Sequence, residues 1–239
     1  MLPFVTCICP TMSLRLEWLP KAIESFMAQD YLGGAEMLIV ADENIIPTAL
    51  AECVVSGMLR PCHPQREGSQ VKIGISNGVL GEKRNTACRN ARGEIIAHFD
   101  DDDISAPGRL TDQVMRLLEP GCAVTGYNTM VVRELRQTRV MQEDGTWRPG
   151  AEWWKFTSRD GACAGASLCY HRDWWRTHRF PEVACGEDDP FYAAAVADNT
   201  AIAADGSDFF RVTNHAGNVS GRLIGGAEWQ ELSGDPWND

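Results

Sequence analysis

Four consecutive aspartates, Asp100 to Asp103, close the apolar run in "GEIIAHFDDDDISAP", and a second acidic group, "GEDD" at Gly186 to Asp189, precedes an alanine-rich stretch. Adjacent carboxylates repel one another, so the four either turn out into solvent or meet a positive partner. The apolar lead-in puts Asp100 at the end of a buried strand, where uncompensated charge is costly. A divalent cation resolves that conflict. Asp100 and Asp102 lie two apart, so their carboxylates can converge on one hard ion, and hard ions favour oxygen ligands. Mg²⁺ or Mn²⁺ held by two side chains keeps positions open for phosphate oxygens. That arrangement implies a nucleotide diphosphate ligand, with the ion as Lewis acid on its leaving phosphate.

Other acidic loops fit less well. A helix-loop-helix calcium site needs glycine at its sixth position and glutamate at its twelfth; counted from Asp100, these are Ser105 and Thr111. A phosphohydrolase of the haloacid-dehalogenase kind also sets a DxD after an apolar strand and an acidic group downstream, and "GEDD" could mimic the latter. Its nucleophile belongs on the first strand, however, and this run comes far into the chain.

The elements that must carry these residues alternate along the first half. Pro3 to Cys9, Glu36 to Ala41, Val71 to Ile75 and Glu94 to Phe99 read as strands. Leu16 to Ala28, Thr48 to Met58, Leu80 to Ala91 and Arg109 to Leu118 read as helices, the first on the spacing of Leu16, Leu19, Ile23 and Phe26. Strands each followed by a helix predict an α/β fold: a mostly parallel sheet with helices on both faces and ligands at the carboxyl ends of its strands. The second half is less regular. A strand is expected over Cys122 to Glu134, then "EWWKF", a small-residue loop "GACAGASLCYHR" (Gly161 to Arg172) and "ACGEDDPFY".

Composition bounds the function. The chain has 239 residues, 44% of them hydrophobic, enough for one good core or two small ones. Twenty-two basic against 33 acidic residues give a net charge of -11, which argues against phosphate-backbone binding and leaves nucleic acid an unexpected partner. Nine cysteines without a CxxC pair suit reduced, buried thiols in the cytoplasm better than disulfides or a zinc site. "MLPFVTCICPTM" has no basic leader or cleavage site and reads as a first core strand, and a membrane span of about 20 apolar residues is not expected.

Taken together and in order, "CICPT", "LPKAIESFMAQDY", "EMLIVADE", "GEKRNTACRNARGEIIAHFDDDDISAPGRL" and "GEDDPFY" resemble a family two glycosyltransferase of the GT-A fold, over roughly residues 3 to 192. The resemblance implies a Rossmann-like nucleotide-binding sheet with an acceptor-side extension, divided softly into a donor part, 1–120, and an acceptor and catalytic-base part, 121–239, sharing one core. It implies an inverting, metal-dependent transfer of a hexose from a nucleotide diphosphate sugar, UDP by default, to a carbohydrate or other hydroxyl.

Residue by residue, Pro10 and Thr11 match the strand end that lines the nucleotide site. Asp42 matches a carboxylate that hydrogen-bonds the base, although Ala41 departs from the usual acidic pair. Lys83 and Arg84 match an "ARN" position, where Arg84 can offer planar, multi-donor hydrogen bonds to phosphate or to the aspartates. Asp100 and Asp102 match the DxD that orients the donor and holds Mn²⁺ or Mg²⁺, Asp103 supports them, and Asp101 is expected to face solvent. The family's "ED" falls on Glu187 and Asp188, which implies Asp188 as the general base and Glu187 as either its partner or an acceptor ligand. The doubled aspartate leaves Asp189 as the alternative. A charged helix N-terminus before Pro190 explains the same residues without catalysis. In "FFRVTNHAGNVSG", His215 and Asn218 are expected near the diphosphate, with His215 a candidate third metal ligand. Trp153, Trp154, Trp174 and Trp175 form two pairs in which one indole is expected in the core and the other facing out. Trp229 and Trp237 are left between a site cover and an oligomer contact.

Overall fold

The computed structural model describes residues 1–12, 15–45, 70–136, 138–141, 145–218, 224 and 226–237. The predicted helix over Thr48 to Met58 lies outside these residues, as do Cys53 and Cys62.

Strand β1 (Val5–Pro10) is followed by helix α1 (Leu19–Met27), β2 (Ala35–Ala41), β3 (Gln70–Ile75), α2 (Leu80–Asn90) and β4 (Ile95–His98). A two-residue β5 (Ile104–Ser105) then leads into α3 (Arg109–Leu117). The second half comprises β6 (Val124–Glu134), β7 (Arg139–Met141), β8 (Trp147–Pro149), β9 (Trp153–Thr157), β10 (Cys169–His171), α4 (Arg172–Thr177), α5 (Asp188–Ala197), β11 (Ala201–Asp205), β12 (Phe210–Asn214) and β13 (Trp229–Glu231). The order across the main sheet is β13-β9-β6-β10-β4-β1-β2-β3.

The stretch from β4 to β3 is parallel throughout, as the alternation predicts. Antiparallel pairing enters with β10, which joins β4 to β6, and continues through β9 and β13. Strands β11 and β12 run parallel to β6, and β12 also pairs with β5, next to the four aspartates.

Burial on both faces explains why β1 and β2 read as unbroken apolar runs instead of alternating ones. Val5, Cys7 and Cys9 of β1 pack with Leu19, Ile23 and Phe26 of α1 and Leu110, Val114 and Leu117 of α3. On the other face, Ile8 packs with Ala87 and Cys88 of α2, Trp175 of α4 and Phe191 and Ala195 of α5. Cys122 and Cys169 share the first cluster and Val124 and Leu168 the second, so residues on both sides of position 120 contribute to each.

Helix α1 begins three residues later than its apolar spacing suggests. Leu16 lies in a turn, and Pro20 sits in the first helical turn, where its missing N–H costs nothing. The tryptophan pairs divide as expected: Trp154 and Trp175 are buried, Trp153 and Trp174 partly exposed. Trp229 packs on Trp154 and Phe156, while Trp237 stacks on Arg211 and donates to the Ser207 carbonyl. Cys185 departs from the expected buried thiols and is exposed.

Candidate active site

The carboxyl ends of β1, β2 and β4 present Pro10 and Thr11, Asp42 and Asp100 along one edge of the sheet. Next to β1 and β4 lies a cavity of about 260 Å³, lined by Pro10, Arg15, Arg84, Asp100, Asp102, Asp103, the turn Ala164–Ala166, Cys185 to Asp189, Asn214 and Asn218. It therefore unites the two acidic groups, although 85 or so positions separate them. Trp153 and Trp174 do not line it.

Arg84 joins the groups. Its helix, α2, packs against β1 and β2 and points the guanidinium between them: Nε donates to Glu187 Oε1 at 2.7 Å, while Nη1 and Nη2 reach the two oxygens of Asp100 at 3.1 and 3.2 Å. Burial opposes the charge of Arg84, but Asp100, Glu187 and Asp188 together outweigh it and raise the pKa. Gly81, on the preceding turn of α2, donates its N–H to the Val183 carbonyl, and a Cβ there would collide with the Pro181 carbonyl. Only glycine allows the helix to meet the loop that carries Glu187 this closely.

The four aspartates have separate partners. Asp100 takes Arg84. Asp101 is 1% exposed, which overturns the expectation that it faces solvent. The backbone turns after β4 and directs it inward, where Thr11 Oγ1 donates to its Oδ2 at 2.6 Å and Arg15 Nη2 stands 3.1 Å from Oδ1. Asp102 Oδ2 pairs with Arg15 and lies 3.1 Å from His215 Nε2 and 2.8 Å from Asn218 Nδ2. Asp103 Oδ1 accepts the Thr213 N–H at 3.1 Å, tying the run to β12. Burial raises the Asp101 carboxyl to about 6 and that of Asp103 to about 7.

Thr11, Lys83 and Asp42 form a neighbouring chain. Lys83 Nζ donates to the Thr11 carbonyl at 2.7 Å and pairs with Asp42 Oδ1 at 2.7 Å, without lining the cavity itself. His215 stacks on Trp18 with ring centroids 4.7 Å apart, and burial followed by the Arg15 charge lowers its pKa.

At the second acidic group, burial raises the pKa of Glu187 and of Asp188 against the pull of Arg84. Asp188 backs onto Gly165: a Cβ on that residue would fall on the Asp188 carboxylate. The Gly165 carbonyl in turn lies 2.7 Å from Nδ1 of His98, a fully buried imidazole whose pKa is pushed well below its usual value by desolvation and by Arg84.

Arg15 and His98 are the residues that sequence reasoning missed, and Gly165 was marked only as part of the small-residue loop Gly161 to Arg172. For Arg15 a signal exists: it is a lone cation five positions after Pro10, between the first strand and the first helix. His98 and Gly165 matter through contacts that local pattern does not reveal.

The donor set suits a cation in part. Carboxylate oxygens of Asp100 and Asp102 with the His215 imidazole match Mg²⁺ or Mn²⁺ chemistry. Among the described residues no three such side chains converge on a point, and Arg15 stands among them. The set alone does not complete a cation's coordination shell. β1, "VTCICP", carries no carboxylate and hence no phosphohydrolase nucleophile.

The family model for glycosyl transferase family 2 matches residues 7–169, well over half the chain. Among solved structures, S. aureus TarS residues 1–349 in complex with UDP-GlcNAc superposes with a TM-score of 0.63 at 19% identity, covering 92% of this chain and 61% of that one. The same protein in complex with UDP gives 0.62 at 18%, covering 88% and 60%. The mannosyltransferase PcManGT from Pyrobaculum calidifontis, in complex with GDP-Man and Mn²⁺, gives 0.59 at 18%, covering 90% and 57%. The chain thus spans about three fifths of the length of these structures. No curated protein matches it. With the parallel sheet, the cavity at its carboxyl edge and the family match in agreement, the chain belongs to glycosyl transferase family 2 and has the GT-A fold.

Proposed function

We propose that this protein is a glycosyltransferase that moves a hexose from a nucleotide diphosphate sugar, UDP-linked by default, to an acceptor hydroxyl with inversion and with help from Mn²⁺ or Mg²⁺. The observation that carries the reading is the single cavity lined by both acidic groups, with Arg84 fastened to one member of each. UDP and GDP sugars in the superposed structures support a nucleotide-sugar donor here.

In the proposed mechanism, Pro10 and Thr11 border the nucleotide and Asp42, steadied by Lys83, meets the base. Asp100, Asp102 and His215 are the residues that would hold the cation. When bound, the cation supplies Lewis-acid stabilisation of the charge on the leaving phosphate. Arg84 keeps Asp100 and Glu187 in place from a dry position, so their orientation costs no rearrangement during reaction. Asp188 takes the proton of the acceptor hydroxyl as its oxygen bonds to the anomeric carbon. The bond from that carbon to phosphate oxygen breaks, and its electron pair leaves with the diphosphate. A raised pKa makes Asp188 a stronger base than an ordinary aspartate.

Asp188 and Asp189 also line a groove of about 690 Å³, together with Asp160 to Cys163 and residues of helix α5. We assign the acceptor to this groove, because Asp188 lines both it and the cavity. Among the described residues no helix is long and apolar enough to cross a membrane. The buried thiols support a reducing, cytoplasmic setting.

A thermal-shift panel of UDP-, GDP-, CDP- and dTDP-sugars with and without Mn²⁺ tests the reading. One nucleotide class should raise the melting temperature, more so with metal. If none does, the donor assignment falls.

A further inference from the structure

The cation that the aspartate run requires is already present as a side chain. Arg15 hangs from the turn between β1 and α1, where its N–H donates to the Met12 carbonyl and its own carbonyl accepts the Trp18 N–H. Its Nη2 bridges Asp101 and Asp102, and on Asp102 it shares Oδ2 with His215 and Asn218. That oxygen is one the proposed metal needs. A guanidinium and a divalent ion cannot both occupy it, since they repel each other and compete for one lone-pair region.

Two unmet needs frame this contact. Asp101 Oδ1 is buried and accepts no hydrogen bond, while Arg15 Nε is buried and makes none. The first has the Arg15 charge 3.1 Å away but no hydrogen bond, and the second lacks an acceptor. A bound diphosphate with its metal meets both: phosphate oxygens accept from Arg15, and the ion compensates the carboxylates it leaves.

We infer that Arg15 is a resident counter-ion for the aspartate run, exchanged for the divalent metal when the donor diphosphate arrives and draws the guanidinium onto its own oxygens. Metal and nucleotide are then obliged to bind together. Linkage makes the coupling reciprocal: nucleotide strengthens metal binding by the same factor by which metal strengthens nucleotide binding. The inference rests on the proposed metal-and-diphosphate reading of the cavity and adds the residue that enforces its cooperativity.

The test is a Mn²⁺ titration followed by the electron paramagnetic resonance signal of the free ion. It compares the parent protein with Arg15→Ala and Arg15→Gln, each alone and with UDP or GDP, whichever raises the melting temperature, after subtraction of Mn²⁺ held by free nucleotide. For the parent, nucleotide should tighten Mn²⁺ binding by about tenfold or more, within the usual range of such couplings. For Arg15→Ala without nucleotide, Mn²⁺ should bind about tenfold more tightly than to the parent, and nucleotide should add little. Nucleotide affinity in the absence of metal should fall in the same variant. Arg15→Gln retains much of the side chain's length without its charge and should behave like the alanine variant; it stands in if Arg15→Ala does not fold. If the parent binds Mn²⁺ with nucleotide but the variants match it without nucleotide, Arg15 is no counter-ion and the inference is overturned alone. If the parent does not bind Mn²⁺ even with nucleotide, the metal reading fails and takes the exchange with it.

Discussion

The cavity holds two acidic groups whose surroundings differ in kind. Asp100 to Asp103 are enclosed by partners: two arginines, the Thr11 hydroxyl, the Thr213 N–H, the Asn218 amide and the His215 ring. At the second group Glu187 is clamped by Arg84, whereas Asp188 makes no ion pair with arginine or lysine among the described residues and feels Arg84 only through space. Carboxylates committed to hydrogen bonds suit holding a cation or a donor. One that is buried, raised in pKa and backed by a glycine suits accepting a proton. The difference therefore divides the labour.

The largest expected effect is on the second group. Asp188→Asn should lower kcat by about a thousandfold, within the range for losing a general base, while the nucleotide-induced thermal shift persists. Asp189→Asn should leave kcat nearly intact. If the two variants exchange behaviour, the base is Asp189 and the match slips by one residue.

Next comes the bridge. Arg84→Ala strands Asp100 and Glu187 as unpaired charges in a site where the arginine side chain is 3% exposed. Breaking such a buried pair costs about 3–5 kcal/mol. A loss of that order in urea unfolding is expected, together with loss of activity. Arg84→Lys keeps the charge but not the planar fork, so it should recover part of the stability and little of the activity. Equal stability in parent and alanine variant would mean that the groups are not joined through Arg84.

A smaller, more local effect belongs to Gly165. A methyl group there must displace the Asp188 carboxylate, and misplacing a reacting group by about 1 Å costs roughly a hundredfold in rate. Gly165→Ala should lower kcat by that order with little change in donor KM. In the Asp188→Asn background the same change should do almost nothing. A raised donor KM with unchanged kcat would show that Gly165 serves the donor alone.

How far the sequence revealed these relations depended on their range. The strands were legible because burial on both faces leaves continuous apolar runs; Asp100 and Asp102 stood out by type and spacing, while Pro10, Arg84, Glu187 and Asp188 were marked by the family resemblance. The expectation that Asp101 faces solvent failed because a pattern read along one strand cannot see Thr11, 90 positions away, or the Arg15 turn that closes over it. The family match likewise assigned the second acidic group without revealing what seats it. Gly165 looks like any small residue in "GACAGAS" until the fold brings Asp188 against it.

The finest test concerns pH and separates Asp188 from its neighbours by sign. Burial is the main cause that holds the Asp188 carboxyl above its ordinary 3.8, and Asp189 adds to the rise by like-charge repulsion. A base works only when ionised, so activity should be lost as pH falls through this raised value, and the acid limb of kcat should lie above the ordinary aspartate range. Removing the neighbouring charge with Asp189→Asn should move that limb to lower pH. A limb that stays fixed in Asp189→Asn would locate the titrating group elsewhere. A limb that moves upward would contradict the repulsion between the two aspartates.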